Sequence, residues 1–166
     1  LWQLPSPSNR WAKAIAGNWE TSGIWTWQSG FPLNITSGSD TSFSLPENGD
    51  DQAQVSCTPR YTSGSRNQRI ASWFDTSCFS VPADNSFGNV GRNTLIGPGT
   101  FNFDLGLHKS FNITEHTNLQ LRGEFFNAFN HTLLNNPDTS VADDNFGRIT
   151  SARSPRIIQI ALKVRF

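Results

Sequence analysis

The end of the chain alternates between apolar and polar side chains, and this pattern constrains the fold more than any other stretch. From Ile158 every second residue is apolar: Ile158, Ile160, Leu162, Val164 and Phe166. The intervening residues are Gln159, Ala161, Lys163 and Arg165. Because successive side chains of a β-strand point to opposite faces, we predict a strand with one apolar and one mostly polar face. Chain ends usually fray into water, so an apolar strand that reaches an aromatic last residue is expected only where that residue has an apolar environment.

Three upstream segments repeat this alternation, at residues 19–29, 101–111 and 119–130. In the first segment one face carries Trp19, Thr21, Gly23, Trp25 and Trp27. In the other two, the apolar faces carry Phe101, Phe103, Leu105 and Leu107, and then Leu119, Leu121, Phe125 and Phe129. Period-two alternation with little helical periodicity predicts an all-β, antiparallel fold. Only residues 11–16 resemble a helical turn, and Pro5 argues against a central strand near the start.

Composition limits which kind of all-β protein these strands can build. Charged residues make up 16% of the 166 residues, against roughly 25% in an average soluble domain. No run of about 18 apolar residues exists, which excludes a transmembrane helix, whereas a transmembrane barrel turns only alternate residues toward lipid. With 13 basic and 13 acidic residues the net charge is zero, so we expect no nucleic-acid partner. The chain has no Met and begins with Leu1, so we expect it to be a processed or truncated piece of a longer protein.

The connections between the predicted strands are very unequal in length. Residues 112–118 form a short polar turn, whereas residues 31–100 and 131–148 form long polar connections. Outer-membrane barrels have short periplasmic turns, long extracellular loops and an apolar band about 25 Å tall, which a tilted strand of about ten residues can span. We therefore predict that residues 1–166 are the C-terminal part of one up-and-down transmembrane β-barrel domain, with both long connections extracellular. About four to six strands are too few to close a barrel.

Cys57 and Cys78 are the only cysteines and lie in a stretch rich in Ser, Gly and Asn. A zinc site requires more ligands at closer spacing. We therefore expect one disulfide formed in an oxidising compartment, which contributes about 3 kcal/mol through the entropy of the closed loop. The alternative is a pair of unbonded thiols.

Acidic residues cluster in both long connections: Glu47 with Asp50 and Asp51, and Asp138 with Asp143 and Asp144. Such oxygen ligands can hold Ca²⁺, but EF-hand spacing is missing from the sequence, so solvated loop acids are the favoured interpretation. The three histidines, His108, His116 and His131, are scattered, without a Gly-x-Ser-x-Gly or His-Glu-x-x-His pattern. The sequence therefore predicts no enzyme, no cofactor and no metal site.

Aromatic and charged residues of the strands each have two interpretations. Trp25 and Trp27 are either a sugar-stacking platform or lipid-facing girdle residues, and the parity that they share with Trp19 favours the girdle. Four charged residues have the opposite, lumen-facing parity: Arg122, Glu124, Lys163 and Arg165. We expect them to form structural ion pairs inside the barrel or with a plug, rather than a substrate site.

Several motifs occur together in a fixed order: residues 17–24 (GNWETSGI), 28–33 (QSGFPL), 87–93 (FGNVGRN), 97–99 (GPG), 121–131 (LRGEFFNAFNH), 146–152 (FGRITSA) and 155–159 (PRIIQ). With the terminal Phe166, this set resembles the barrel of a TonB-dependent outer-membrane receptor over residues 17–166. The version is similar to the large Oar-like receptors, whose N-terminus carries a carboxypeptidase-regulatory-like domain.

The resemblance implies a barrel of about 22 strands around a plug, and a function in the energy-coupled passage of a bulky ligand across the outer membrane. The implied partners are outer-membrane lipid, the TonB complex through an N-terminal part absent from this sequence, the transported ligand, and the barrel-assembly machinery. The signal that this machinery reads maps onto Ile160, Leu162, Val164 and Phe166.

The alternative is a secreted β-sandwich that binds a ligand such as carbohydrate. That fold must cover six apolar side chains with a second sheet: Phe101, Leu107, Leu121, Phe125, Ile160 and Leu162.

Overall fold

The computed structural model describes residues 2–44 and 49–166, and the chain divides into two compact units. Unit 1 contains three segments, residues 1–27, 101–133 and 154–166. Unit 2 contains two segments, residues 28–100 and 134–153. The predicted strands therefore lie almost wholly in unit 1, and the predicted long connections almost wholly in unit 2.

The regular elements of the described residues are short except for four strands. In chain order they are β1 (Trp2–Gln3), α1 (Arg10–Ala16), β2 (Trp19–Gln28), β3 (Pro32–Leu33), β4 (Gln54–Val55), α2 (Arg66–Ala71), β5 (Phe79–Ser80), β6 (Leu95–Ile96), β7 (Thr100–Asn112), β8 (Asn118–Phe126) and β9 (Ile157–Arg165). One turn of 3₁₀ helix, Thr76–Cys78, precedes β5. In unit 2, β3 pairs with β6 and β4 with β5, both antiparallel.

The four predicted amphipathic strands are confirmed as β2, β7, β8 and β9. They form one five-stranded sheet with the order β1-β2-β7-β8-β9. The β1–β2, β7–β8 and β8–β9 pairs are antiparallel. Between β2 and β7, the Ser110 N–H donates to the Asn18 carbonyl at 3.1 Å. Further along β2, the Thr21 hydroxyl donates to the Gly106 carbonyl at 3.2 Å, so this pair is antiparallel too and the predicted up-and-down order is confirmed.

Strand β8 ends earlier than the alternation predicted, at Phe126. Asn127 and Asn130 both adopt left-handed backbone, with φ of 52°, which a strand cannot accommodate. The side-chain amide of Asn127 donates to the His131 carbonyl at 2.8 Å and accepts from the His131 N–H at 2.9 Å, which closes a turn. Phe129 therefore lies in this turn, and its predicted place in the strand is wrong.

The start of the chain follows the sequence expectations. Strand β1 pairs over only two residues and lies at an edge of the sheet, before Pro5. The predicted helical turn is confirmed as α1, which begins after Asn9. The Asn9 side-chain oxygen accepts from the Trp11 N–H at 2.9 Å and from the Ala12 N–H at 3.4 Å, so it caps the helix. The Gly17 N–H donates to the Lys13 carbonyl at the other end.

Helix α2 was not predicted, although the sequence contains its start signal. Ser65 and Gln68 form a capping box: the Ser65 hydroxyl accepts from the Gln68 N–H at 3.4 Å, and the Gln68 side chain accepts from the Ser65 N–H at 2.8 Å. Asp75 caps the following 3₁₀ turn by accepting from the Ser77 N–H at 3.0 Å. Across residues 2–44 and 49–166, no helix combines the length and apolar character needed to cross a membrane.

Unit 2 has a hydrophobic core that the sequence did not predict. Its buried members are Leu33, Ile35, Ala53, Phe74, Cys78, Phe79, Val90 and Leu95. Phe74 is fully buried and meets Phe79 and Phe146 edge-to-face, with ring centroids 5.7 and 5.4 Å apart. Since Phe146 belongs to the second long connection, the two connections pack together. The segments predicted as polar connections therefore contain a compact core of their own.

Candidate functional site

One face of the sheet in unit 1 carries apolar side chains that lie in register across three strands. Directly paired residues share a face, and three rungs run from β7 to β9: Leu105–Phe125–Ile158, Leu107–Gly123–Ile160 and Phe111–Leu119–Val164. Ile160 and Leu162 remain 77% and 64% exposed. A large apolar surface of this kind is suited to contact lipid. A β-sandwich requires both side chains to be covered.

An aromatic cluster lies on the same sheet at the end of β2 and the start of β7. The Trp25 ring centroid lies 5.5 Å from that of Phe101, 4.3 Å from that of Phe103 and 5.8 Å from that of Phe129. Phe103 and Phe129 stack at 5.4 Å, so Phe129 joins the cluster from its turn. Trp27 is almost fully exposed. Aromatic residues at strand ends are typical of the girdle of a membrane barrel, which favours the girdle interpretation of Trp25 and Trp27.

The opposite face of the sheet carries polar and charged side chains, as predicted. The register places Glu124 opposite Gln159, and Arg122 between His108 and Ala161. Arg122 and Glu124 form an ion pair at 3.6 Å, and the Arg122 Nε donates weakly to His108 Nε2 at 3.5 Å. The side chains of Arg122 and Glu124 are 40% and 38% exposed. The predicted ion pairing is therefore present for these two residues.

The other two predicted lumen-facing cations lie on the same polar face, nearer the short turn. Lys163 pairs in register with Gln120 and Arg165 with Asn118, so both oppose neutral polar residues. The structure thus brings all four predicted charged residues to one face and joins two of them directly.

A shallow groove in unit 2 combines aromatic rings with a cation. Its volume is about 330 Å³, and it is lined by Tyr61, Thr62, Arg69, Trp73, Ile96 and Gly97. The Trp73 indole N–H donates to the Ile96 carbonyl at 2.8 Å, and the Ile96 N–H donates to the Tyr61 hydroxyl at 2.8 Å. Both rings are therefore held in place by one backbone residue. The arrangement is suited to contact a ring-bearing ligand, with the Arg69 guanidinium available for an anionic group.

Asp51, one of the predicted loop acids, is a buried structural residue. Its carboxylate accepts from the Ser42 N–H at 2.7 Å and from the Thr41 hydroxyl at 3.2 Å. Burial raises the pKa of Asp51, but the hydrogen bonds from Ser42 and Thr41 outweigh it, so the pKa lies below the ordinary value. Asp75 also has a lowered pKa, because the Ser77 hydroxyl and N–H donate to it.

The remaining candidate ligands lie apart. In the described part of the chain, no three His, Cys, Asp or Glu residues approach closely enough to hold a metal ion. Asp138 accepts from the Ser140 N–H at 2.9 Å, and Asp143 and Asp144 are exposed. Glu47, which was grouped with Asp50 and Asp51, lies outside the described residues. Of the histidines, His108 lies in β7, His116 in the short turn and His131 after β8.

Cys57 and Cys78 are joined by a disulfide in unit 2, with their Cα atoms 5.2 Å apart. Cys78 belongs to the buried core, and the Ser56 N–H donates to its carbonyl at 2.9 Å. The bond therefore ties the segment around β4 to the core beside β5.

The predicted assembly-signal residues form the apolar edge of the sheet. Ile160, Leu162 and Val164 lie on β9 and are exposed, and Phe166 follows the end of that strand with 99% of its surface exposed. Strand β9 pairs only with β8 among the described strands, so its other edge offers unpaired backbone groups.

The sequence did not lead us to predict a role for Lys109, a buried cation on the apolar face of the sheet. Lys109 has the parity of the apolar face of β7 and is only 3% exposed. The signal was available in the sequence: a lysine at an apolar position of an amphipathic strand interrupts the alternation.

Comparison with known proteins supplies an independent finding. A family model described as an outer membrane beta barrel domain matches residues 1–159. No curated protein and no solved structure matches the chain. The family match confirms the predicted barrel class and the predicted location in the outer membrane. The five-stranded sheet is open, as expected for part of a barrel wall.

Proposed function

Because this chain belongs to the outer membrane beta barrel domain family, we propose that it supplies the C-terminal strands of a TonB-dependent receptor of the Oar-like type. Such a receptor moves a bulky ligand across the outer membrane with energy supplied through the TonB complex. In this proposal unit 1 forms part of the barrel wall, and unit 2 is the part of the extracellular loops that contacts the ligand.

The observation that carries the proposal is the open sheet of unit 1, apolar on one face and polar on the other. Five strands cannot close a barrel, since about eight are needed for the smallest ones. Further strands must therefore pair with the two edges to complete the wall. A wall that encloses a plug and passes a bulky ligand requires many strands, and an amphipathic open sheet is what one part of such a wall contributes.

Unit 2 supports the proposal because it is more than a flexible connection. Trp73 packs against the buried core of unit 2, and the hydrogen bonds at Ile96 position both Trp73 and Tyr61, so the aromatic part of the groove is preorganised to contact a ligand. Long loops that carry recognition on a rigid wall are a common arrangement in binding proteins.

The coupling to TonB rests on the resemblance of the motifs in residues 17–166, and a binding measurement tests it. The full-length protein is purified from outer membranes in detergent and passed over the immobilised periplasmic domain of TonB. We expect the protein to be retained, and we expect the mass of the mature full-length protein to be far above that of a 166-residue chain. A protein that is not retained, or a barrel that forms without a plug, contradicts the proposed coupling.

The assembly role of the C-terminal strand is tested separately. Deletion of Phe166 is expected to reduce the amount of folded protein in the outer membrane, measured by heat-modifiable migration in gels. The matched control is Arg165→Gln, which changes the neighbouring residue on the polar face. Equal assembly of both variants contradicts recognition of Phe166 by the assembly machinery.

A further inference from the structure

Lys109 places a cation on the apolar face of the sheet. In the register it lies opposite Leu121, which itself lies opposite Leu162. Its side chain is nevertheless almost completely buried. A charged group at such a position requires close partners, because lipid offers it none.

The partners of Lys109 come from the end of helix α1. Its Nζ donates to the Ile15 carbonyl at 2.9 Å and to the Gly17 carbonyl at 2.5 Å. The Ile15 carbonyl belongs to the last turn of the helix, has no partner inside the helix and lies at the negative end of the helix dipole, so an ammonium group stabilises it. Gly17 is the extended residue that ends the helix, and its carbonyl supplies a second acceptor. The Lys109 Nζ also lies 5.5 Å from the Trp19 ring centroid and 5.2 Å from that of Phe111.

These contacts fix where α1 lies. Lys109 and Phe111 are close to the end of β7 that enters the short turn, and α1 directly precedes the start of β2 at the same end. The Trp19 indole N–H also donates to the Ile15 carbonyl, at 3.0 Å. The C-terminus of α1 is therefore held against the apolar side of the sheet at its short-turn end.

The outward side of α1 is apolar. Trp11 and Ile15 are four positions apart in the sequence, so they lie on the same side of the helix. Their side chains are 79% and 78% exposed. Lys13 lies between them in sequence and points to the other side, where it is exposed. Tryptophan and a bulky aliphatic residue on one side of a short helix are the combination found at membrane–water interfaces.

We propose that α1 is an interfacial anchor: it lies in the headgroup region of the outer membrane at the short-turn end of the barrel wall, with Trp11 and Ile15 inserted into lipid. Lys109 is the positioning residue that holds the helix there. The proposal depends on the barrel family of the chain, and it goes beyond the proposed transport function because it does not involve TonB.

Lipid fits this surface better than a protein partner does. The side chains around the Lys109 ammonium, Trp19 and Phe111, belong to the apolar face of the sheet, so the surface of α1 continues the lipid-contacting surface. The helix has only seven residues and exposes two large apolar side chains, Trp11 and Ile15. The surface area that they offer is far smaller than the roughly 1,200 Å² that a stable protein interface buries.

Fluorescence quenching tests the position of α1 in the full-length protein reconstituted into phosphatidylethanolamine–phosphatidylglycerol vesicles. Ile15→Cys carries a bimane label, and Lys13→Cys with the same label is the matched control on the other side of the helix. We expect a lipid quencher attached near the headgroup to quench the label at position 15 more strongly than the label at position 13. Aqueous iodide should give the reverse order.

Each other result overturns the proposal in a distinct way. Strong iodide quenching at both positions places α1 in water. Weak quenching by both reagents at position 15 means that protein, such as a plug or a second copy, covers the helix. Retention by TonB can hold or fail independently of either result.

The role of Lys109 is tested in the labelled Ile15→Cys protein. Lys109→Met keeps the length of the side chain and removes its charge and donors, so we expect lipid quenching of the label to fall while heat-modifiable folding is retained. Lys109→Arg keeps the charge and the donors and is expected to restore quenching. Unchanged quenching in Lys109→Met contradicts the positioning role, and if that variant does not fold, loss of quenching in Lys109→Arg contradicts it.

Discussion

Replacing Phe74 by Ala tests most directly whether unit 2 is a stable folded body. Phe74 is fully buried, and its ring packs edge-to-face against Phe79 and Phe146. Phe79 and Phe146 also meet each other, with centroids 5.8 Å apart, so the three rings form a closed cluster. Removal of the Phe74 ring leaves a cavity between two segments that are distant in the sequence.

The expected cost follows from the burial of the ring. Phenylalanine-to-alanine changes in protein cores cost about 3–5 kcal/mol, and the complete burial of Phe74 places it within that range. A whole domain is stabilised by only about 5–15 kcal/mol, so the loss is a large share of the stability of unit 2. Because about 1.4 kcal/mol corresponds to a tenfold change in an equilibrium constant, the open population of unit 2 should rise at least about 100-fold.

Limited trypsin digestion of the detergent-solubilised protein measures this population, because a cleavage site inside a folded body is cut when that body opens. The arginines of α2 supply cleavage sites within unit 2. Phe87→Ala is the matched control, since Phe87 lies in the same unit but is 68% exposed, and a surface change costs about 0.5 kcal/mol at most. Heat-modifiable migration should show a folded barrel in both variants.

Two outcomes refute the reasoning. If Phe74→Ala and Phe87→Ala are cleaved at the same rate as the unchanged protein, the ring cluster contributes no measurable stability and unit 2 is not held by its core. If Phe74→Ala abolishes the folded barrel itself, the two units do not fold independently.

Three further predictions concern other parts of the two units. Reduction of the Cys57–Cys78 bond should cost unit 2 about 3 kcal/mol and accelerate tryptic cleavage; an unchanged rate contradicts this. The pKa of Asp51 is lower in the folded state than in the unfolded state, so its contribution is present above about pH 4 and is lost as the pH falls through the folded pKa. When unit 2 is digested with pepsin at a series of acidic pH values, the unchanged protein should lose resistance as the pH falls, and the Asp51→Asn variant should lack this pH-dependent loss. Identical pH profiles for the two proteins refute the role of Asp51. Leu162→Arg on the lipid-facing side should destabilise the barrel by up to about 2–4 kcal/mol in urea titrations, whereas Lys163→Gln should have little effect; equal effects contradict the assignment of faces.

The strands of unit 1 could be predicted because their physical signal is local. Alternation of apolar and polar residues is set by the direction of successive side chains, and it therefore identified β2, β7, β8 and β9 without tertiary information. The end of β8 was missed because it depends on a left-handed Asn127 and its bonds to His131, which the alternation does not report.

The core of unit 2 could not be predicted, because its members share no periodicity. Phe74 and Phe146 are distant in sequence and meet only in the folded state, so a stretch rich in Ser, Gly and Asn reads as a polar loop. The groove depends in the same way on Tyr61 and Trp73 meeting at the backbone of Ile96. Lys109 differs from these cases, since its break in the alternation was visible and only its partners in α1 were not.

The apolar residues of this chain are divided between two kinds of environment, and this division decides how a substitution in each group should fail. On the sheet, residues such as Ile160 and Leu162 are not covered by any other described part of the chain. In an outer-membrane barrel such side chains are covered by lipid instead. In unit 2, residues such as Ile35 and Phe74 are buried by the chain itself, as in a protein folded in water. Substitutions in the first group should therefore fail at insertion into the membrane, and those in the second group at the stability of the loops after insertion. An assay that scores only outer-membrane assembly would detect the first group and overlook the second.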